Sequence, residues 1–85
     1  MTDVLGERLH MARRRKGLTQ RELGRRSGIN YVTISRIETG VIQSVTTDTL
    51  MALAKELQVS ADYLLGLGDG ADDTRPKRRA RTKAG

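Results

Sequence analysis

The 85-residue sequence contains no cysteine, a single histidine, one proline and no long apolar run. Without cysteine, neither a disulfide nor a thiolate metal site can stabilise the chain. A chain of this length lies near the lower limit for a self-sufficient hydrophobic core. Its stability must therefore come from helix packing, helix caps and any partner subunit.

Other absences narrow the function. No apolar run is long enough to span a membrane, and no signal-peptide core follows Met1, so we expect a cytoplasmic protein. His10 has no cysteine or histidine neighbour in sequence, and we expect a solvated or half-buried helix residue. We predict no enzyme, metal or cofactor site, because the sequence offers no clustered acid pair in a plausible cleft.

The basic charge is unevenly distributed. The net charge is +6, but residues 1–73 contain ten bases and ten acids and therefore sum to zero. Residues 1–68 alone contain ten bases and seven acids, a mild excess. The remaining bases follow the last acid, Asp73, and are Arg75, Lys77, Arg78, Arg79, Arg81 and Lys83. A basic chain suggests a polyanionic partner, although charge alone does not identify it.

Apolar residues at helical spacing predict an all-α fold of five helices. Cap residues mark the ends: Thr19 with Glu22 forms a capping box, and Gly17, Gly40 and Gly66 follow helices. The predicted helices run from about Asp3 to Lys16, from Thr19 to about Arg26, from Asn30 to about Thr39, from Thr46 or Thr47 to Leu57, and from Ser60 to Leu65.

The domain is predicted to cover residues 3–67, and residues 68–85 to form a flexible linker and basic tail. We expect disorder there, because the segment has little apolar surface to offset chain entropy. The tail has two interpretations: an arm that follows the phosphate backbone or enters the minor groove, or a solubilising end without defined contacts. A membrane tether is disfavoured, since no acylation site or apolar helix face accompanies it.

Residues 20–39, QRELGRRSGINYVTISRIET, have the pattern of two short helices crossing at a tight turn. Gly28 suits the turn because glycine adopts positive φ without a Cβ clash, and Gly24 lies where the helices come closest. Leu23, Ile34 and Ile37 form the apolar ridge between the helices. The pattern resembles a helix-turn-helix, whose second helix lies in the DNA major groove.

The similarity extends to about 60 residues, from Glu7 to Leu65, which resemble the XRE family of Cro and phage-repressor regulators. The matching words are RRKGLTQRELGRRSGI, TISRIETG and DTLMALAKELQVSADYLL. This resemblance implies a compact five-helix repressor-like domain that binds double-stranded DNA as a two-fold dimer. Four positions depart from the family: Gly24 is commonly alanine, Tyr31 is commonly small or an amide, and Val41-Ile42 replaces polar or basic loop residues.

The resemblance also assigns roles to individual residues. Gln20 would touch a phosphate and brace the first side chain of the third helix, while Thr39 and Gln43 would contact phosphates. Arg13 and Glu38 match an ion pair that ties the first helix to the end of the third. The complete predicted DNA-binding set is Thr19, Gln20, Asn30, Tyr31, Val32, Thr33, Ser35, Arg36, Thr39 and Gln43.

The exposed residues of the third helix suit base recognition. Arg36 can donate two hydrogen bonds to guanine O6 and N7, and Val32 and the Thr33 methyl group can pack on a thymine methyl. Tyr31 can stack on a sugar or hydrogen-bond a phosphate or base. The alternative for Arg36 is an ordinary surface arginine that pairs with Glu38 or another nearby acid.

These residues favour a sequence-specific transcriptional regulator, with repression expected, that acts as a homodimer on a two-fold operator. The alternative is an antitoxin or a protein-interaction adaptor on the same fold. We expect no small-molecule sensor domain. The candidate dimer surface comprises Val41, Ile42, Ala61, Tyr63 and Leu67; alternatively, Tyr63 and Ile42 complete the monomer core.

Overall fold

The computed structural model describes residues 4–67, which form five α-helices and no strand. The predicted all-α, five-helix fold is therefore confirmed. Asp3 and the predicted tail at residues 68–85 lie outside the described residues. The helices are α1 (Val4–Arg15), α2 (Gln20–Ser27), α3 (Tyr31–Glu38), α4 (Thr47–Leu57) and α5 (Ala61–Leu65).

Local capping explains where the helices begin. Thr19 Oγ accepts from the Glu22 amide at 3.0 Å, and Glu22 Oε1 accepts from the Thr19 amide at 2.8 Å. This completes the predicted capping box of α2. The side chains of Asn30, Thr46 and Ser60 likewise accept one amide hydrogen each at the starts of α3, α4 and α5. Thr46, not Thr47, is therefore the cap of α4.

The core lies where α1 packs against α3 and α5, and α2 against α3 and α4. The predicted ridge of Leu23, Ile34 and Ile37 is fully buried, together with Leu9 of α1. Burial of these apolar side chains supplies the main driving force for folding. It also fixes α3 with one face inward and the other outward.

The prediction that Tyr63 lies on the dimer surface is wrong, since this residue is only 4% exposed and belongs to the core. The guanidinium of Arg8 covers its ring, with 4.6 Å between Cζ and the ring centroid. Ile42 and Ala61 are half-buried against the same core. Val41 and Leu67, in contrast, are 72% and 74% exposed.

Candidate nucleic-acid interface

The turn between α2 and α3 places the two helices unusually close together. Gly28 has φ of +79° and donates its amide hydrogen to Gly24 O at 2.9 Å. A Cβ at Gly24 would lie 2.7 Å from the Ile29 carbonyl oxygen and 3.3 Å from the Tyr31 nitrogen. Both expectations for these glycines are confirmed: one adopts the left-handed conformation, and the other permits close helix approach.

The outer face of α3 carries the predicted base-reading side chains. Tyr31 and Val32 are 38% and 40% exposed, and Arg36 is also exposed. Thr33 and Ser35 are half-buried at the borders of this face. Because Ile34 and Ile37 anchor the opposite side of the helix, the exposed residues are presented from a fixed backbone.

Arg36 makes no ion pair with any residue between 4 and 67. The alternative of an Arg36–Glu38 pair is wrong, because the Glu38 carboxylate is bound by Arg13 instead. The Arg36 guanidinium therefore keeps its donor hydrogens available for a ligand. Arginine presents these donors in a planar fork that suits bidentate acceptors.

Most of the other residues of the predicted DNA-binding set flank the helices, and several of them already take part in helix capping. Thr19 Oγ accepts the Glu22 amide, so its own hydroxyl hydrogen remains available. Asn30 Oδ1 accepts the Val32 amide at 2.7 Å, which leaves its amide nitrogen as the free donor. The Thr39 hydroxyl points back to Ser35 O at 3.1 Å and must rotate before it can donate outward. Gln43 is exposed in the loop after α3.

A buried polar cluster behind this face joins three helices. Arg13 Nε donates to Glu38 Oε2 at 2.7 Å, and the side chains of both residues are at least nine-tenths buried. Another guanidinium nitrogen of Arg13 donates to the Leu18 carbonyl oxygen. The predicted tie between α1 and the end of α3 is thus confirmed. His10 borders this cluster as an exposed helix residue, with Nδ1 at 3.0 Å from Glu38 Oε1.

Gln20 differs from its expected bracing role. Its amide nitrogen donates to Glu38 Oε1 at 3.1 Å, which connects the first residue of α2 to the last residue of α3. Burial alone would raise the pKa of Glu38, but the hydrogen bonds from Arg13, His10 and Gln20 outweigh it and leave the pKa below its ordinary value. The carboxylate therefore remains ionised and holds the ends of the two helices together.

Arg21 braces Tyr31 in place of Gln20. Its guanidinium lies over the tyrosine ring, 4.3 Å from Cζ to the ring centroid, and donates to the phenol oxygen at 3.1 Å. A shallow groove of about 680 Å³ runs beside this pair toward Arg25. Sequence reasoning missed Arg21. The sequence feature that could have identified Arg21 is its position one helical turn before Gly24, together with an aromatic residue at the start of α3.

Two other features are absent from the described residues: a membrane-spanning helix and a metal-binding cluster. None of the helices within residues 4–67 has the length and apolarity needed to cross a membrane. The same residues contain no group of three or more histidine, cysteine or acidic side chains arranged to hold a metal ion. The candidate site is the exposed face of α3 with its flanks.

Comparison with known proteins relates this chain to helix-turn-helix proteins. A helix-turn-helix family model matches residues 9–64. Repressor protein C2 of Salmonella phage P22 is 38% identical over 64 residues, which cover 75% of this chain and 29% of the repressor. The HTH-type transcriptional regulator ImmR of Bacillus subtilis (strain 168) is 40% identical over 62 residues, covering 73% of this chain and 48% of ImmR.

A further relative, the HTH-type transcriptional regulator for conjugative element R391 of Providencia rettgeri, is 37% identical over 84 residues, covering 92% of this chain and 38% of the relative. The chain thus spans less than half the length of these relatives. No solved structure gives a significant match. The family match covers more than half of the sequence and coincides with the crossing of α2 and α3, and this chain belongs to the XRE-type helix-turn-helix family.

Proposed function

We propose that this chain is a sequence-specific, double-stranded-DNA-binding transcriptional regulator, a repressor acting as a homodimer on a two-fold operator. The observation that carries the proposal is the outer face of α3, where Arg36 is exposed and makes no ion pair within the described residues. A rigid helix with free donors and small apolar groups has the chemistry that major-groove recognition requires.

In this proposal, Arg36 reads guanine through O6 and N7, while Val32 and Thr33 pack on thymine methyl groups. Tyr31 and Ser35 border the same face. Each good base contact is worth about 1–3 kcal/mol of discrimination. Phosphate contacts fix the register and add salt-dependent affinity. The residues proposed for them, or for positioning α3 on the backbone, are Thr19, Gln20, Asn30, Thr39 and Gln43.

A homodimer follows from the size of the reading surface. One recognition helix reads only a few base pairs, whereas two copies about 34 Å apart read successive major grooves on one side of the duplex. The exposed Val41 and Leu67 are the best-placed residues of the predicted interface. The proposal assigns no catalytic activity or cofactor to the described residues. It places the chain in the cytoplasm with bacterial DNA; the relatives are named as a phage repressor and HTH-type transcriptional regulators.

Selection of bound duplexes from a random pool tests the proposal. We expect enrichment of a site with two related half-sites, about 10–10.5 base pairs apart centre to centre, or a multiple of that spacing. Affinity for the selected duplex should fall steeply with salt. A pool that shows no enrichment, or a binding constant that does not change with salt, would contradict it.

The alternative, an antitoxin or protein-interaction adaptor, is favoured by one observation. Two large apolar side chains remain exposed: Val32, on the proposed DNA-binding face, and Val41, in the loop after α3. Exposed apolar groups can mark a protein contact rather than a DNA contact. Equal, weak binding to all duplexes would favour this alternative over the regulator.

A further inference from the structure

Arg21 and Tyr31 form a contact that depends on the close crossing of α2 and α3. Gly24 lies one turn after Arg21 on α2, and the absent Cβ allows the Tyr31 backbone to approach. The two departures from the family pattern at these helices, glycine at 24 and tyrosine at 31, are therefore parts of one arrangement. The ring then lies against the Arg21 guanidinium at 4.3 Å.

The hydrogen bond between the two side chains fixes the orientation of the Tyr31 phenol. Arg21 Nη2 donates to the Tyr31 oxygen at 3.1 Å, so one acceptor position of that oxygen is occupied. The phenol keeps its own O–H hydrogen, which is free to be donated elsewhere. The guanidinium covers one face of the ring, while the phenol hydrogen remains available to a ligand. Arg21, Tyr31 and Val32 are all exposed.

We infer that Arg21 is a positioning residue for DNA recognition: it fixes Tyr31 against α2 so that the phenol donates its hydrogen to an acceptor on the duplex. The inference rests on the proposed function. The acceptor is either a base edge, such as purine N7, guanine O6 or thymine O4, or a phosphate oxygen. A preorganised side chain loses less conformational entropy on binding than a free one, so the contact gains affinity from Arg21 without requiring Arg21 to touch DNA.

A purely structural role does not account for this arrangement. Exposed cation–π contacts and exposed hydrogen bonds contribute little to folding stability. Removing the pair should therefore leave the folded domain nearly as stable as before. The effect of the Arg21 charge on DNA binding can be separated from the positioning of Tyr31. Arg25 carries the same charge one turn further along α2 and lines the same groove, so it serves as the control.

A double-mutant cycle on the duplex selected from the random pool tests the inference. Tyr31→Phe should weaken binding about tenfold, as expected for loss of one recognition hydrogen bond. Arg21→Ala should produce a loss larger than that of the control Arg25→Ala. The double variant should bind little worse than Arg21→Ala alone, because the two residues act as one unit. Arg21→Lys should recover part of the loss, since a lysine cation can still cover the ring.

The same variants identify the acceptor. If the phenol contacts a base, repeating the selection with Tyr31→Phe and with Arg21→Ala should relax preference at the same position in each half-site. If it contacts a phosphate, both variants should lose affinity for all duplexes equally, without a change in base preference. Either result supports the inference. A relaxed preference in Tyr31→Phe that Arg21→Ala does not reproduce would contradict it.

A measurement without DNA separates this inference from the proposed function. In the free protein, the ring-proton resonances of Tyr31 should shift in Arg21→Ala and stay in place in Arg25→Ala; the only other tyrosine, Tyr63, is buried. Unchanged resonances, additive losses in the cycle, or equal losses for the two arginines would overturn the inference while leaving DNA binding intact. A clear contact in the free protein with no duplex selected would overturn the proposed function and, with it, the role of the pair in recognition.

Discussion

The buried carboxylate of Glu38 joins the three helices that position the candidate DNA-binding face. Its carboxylate accepts hydrogen bonds from Arg13 on α1 and Gln20 on α2 while it ends α3. Replacing a buried ion pair with apolar groups is often harmless, but removing one partner leaves the other charge without compensation. Glu38 therefore connects stability to the relative placement of α2 and α3.

Glu38→Gln should destabilise the domain by about 3 kcal/mol at pH 7, because Arg13 would lose its buried counter-charge. The effect should depend on pH. Hydrogen bonds hold the folded-state pKa of Glu38 below the ordinary value of 4.5, so its contribution is present above that value and is lost as pH falls through the lowered pKa. Urea denaturation at pH 7 and pH 3 should show the gap between wild type and variant narrowing in acid.

Glu7→Gln is the matched control for that comparison. It makes the same chemical change on an exposed face of α1. Its free energy of unfolding should stay within about 0.5 kcal/mol of wild type. A Glu38→Gln loss no larger than that of Glu7→Gln, or one that is unchanged by pH, would mean that the cluster is not a significant source of stability.

Arg36→Ala tests readout at a single residue. Because the side chain is exposed and makes no ion pair within residues 4–67, thermal stability should not change. Specific binding should weaken by about 1–3 kcal/mol, with preference relaxed mainly at one position per half-site. Arg26→Ala removes the same charge from the exposed surface of α2 and should leave base preference intact. A duplex selection with unchanged preference in Arg36→Ala would rule out the reading role.

At the scale of elements, the α2–α3 crossing is set by the space at Gly24. Gly24→Ala should gain about 1 kcal/mol of helix propensity. Against this, the new methyl group would lie 2.7 Å from the Ile29 carbonyl oxygen, a backbone atom that cannot swing away. Overpacking of this kind costs about 1–3 kcal/mol, so we expect a net loss of about 1 kcal/mol.

The same substitution should also move α3 away from α2 and shift the Tyr31 ring resonances. Denaturation and the resonance shift can be measured on one sample. Arg25→Ala, at the neighbouring exposed position, should change neither. A Gly24→Ala variant that is more stable than wild type would show that the crossing can open without cost.

The sequence predicts those parts of the structure that depend on local chemistry. Caps such as Thr19 and Asn30 bond within three residues, so their roles are readable without tertiary information. The inward spacing of Ile34 and Ile37 is equally local. The Gln20–Glu38 contact was not predicted, and the burial of Tyr63 was only the alternative to a surface position, because both depend on how helices distant in sequence pack together. The Arg21–Tyr31 contact is intermediate: the two residues are only ten apart in sequence, but the turn between α2 and α3 separates them.

At the scale of the whole molecule, the basic residues lie in two regions, the described domain and the tail. Four arginines lie on α2 and α3, while six bases follow Asp73. If the tail is an arm on DNA, deleting residues 75–85 should lower affinity for all duplexes similarly. The slope of log affinity against log salt should flatten by about 0.9 for each phosphate that the tail neutralises.

That deletion should leave base preference and the melting temperature nearly unchanged, because the described core ends before residue 75. Titrations over a range of salt concentrations, with and without the tail, provide the comparison. Equal slopes for the two proteins would favour the solubilising end over the arm.

The proposed dimer surface belongs to the same scale, and the burial of Tyr63 changes which residues test it. Val41 and Leu67 remain exposed, whereas Tyr63 lies in the core. We expect Val41→Asp and Leu67→Asp to fold normally and to lose cooperative loading of two copies on the selected duplex. Adjacent half-sites place the two subunits at high effective concentration, so even a weak apolar contact should matter there.

Tyr63→Ala is the control for the core. It should lose about 3–5 kcal/mol of stability, as expected for removal of a buried aromatic ring. Sedimentation with and without duplex, together with thermal melting, separates these outcomes. Folded Val41→Asp and Leu67→Asp proteins that still load cooperatively would place the dimer contact elsewhere on the molecule.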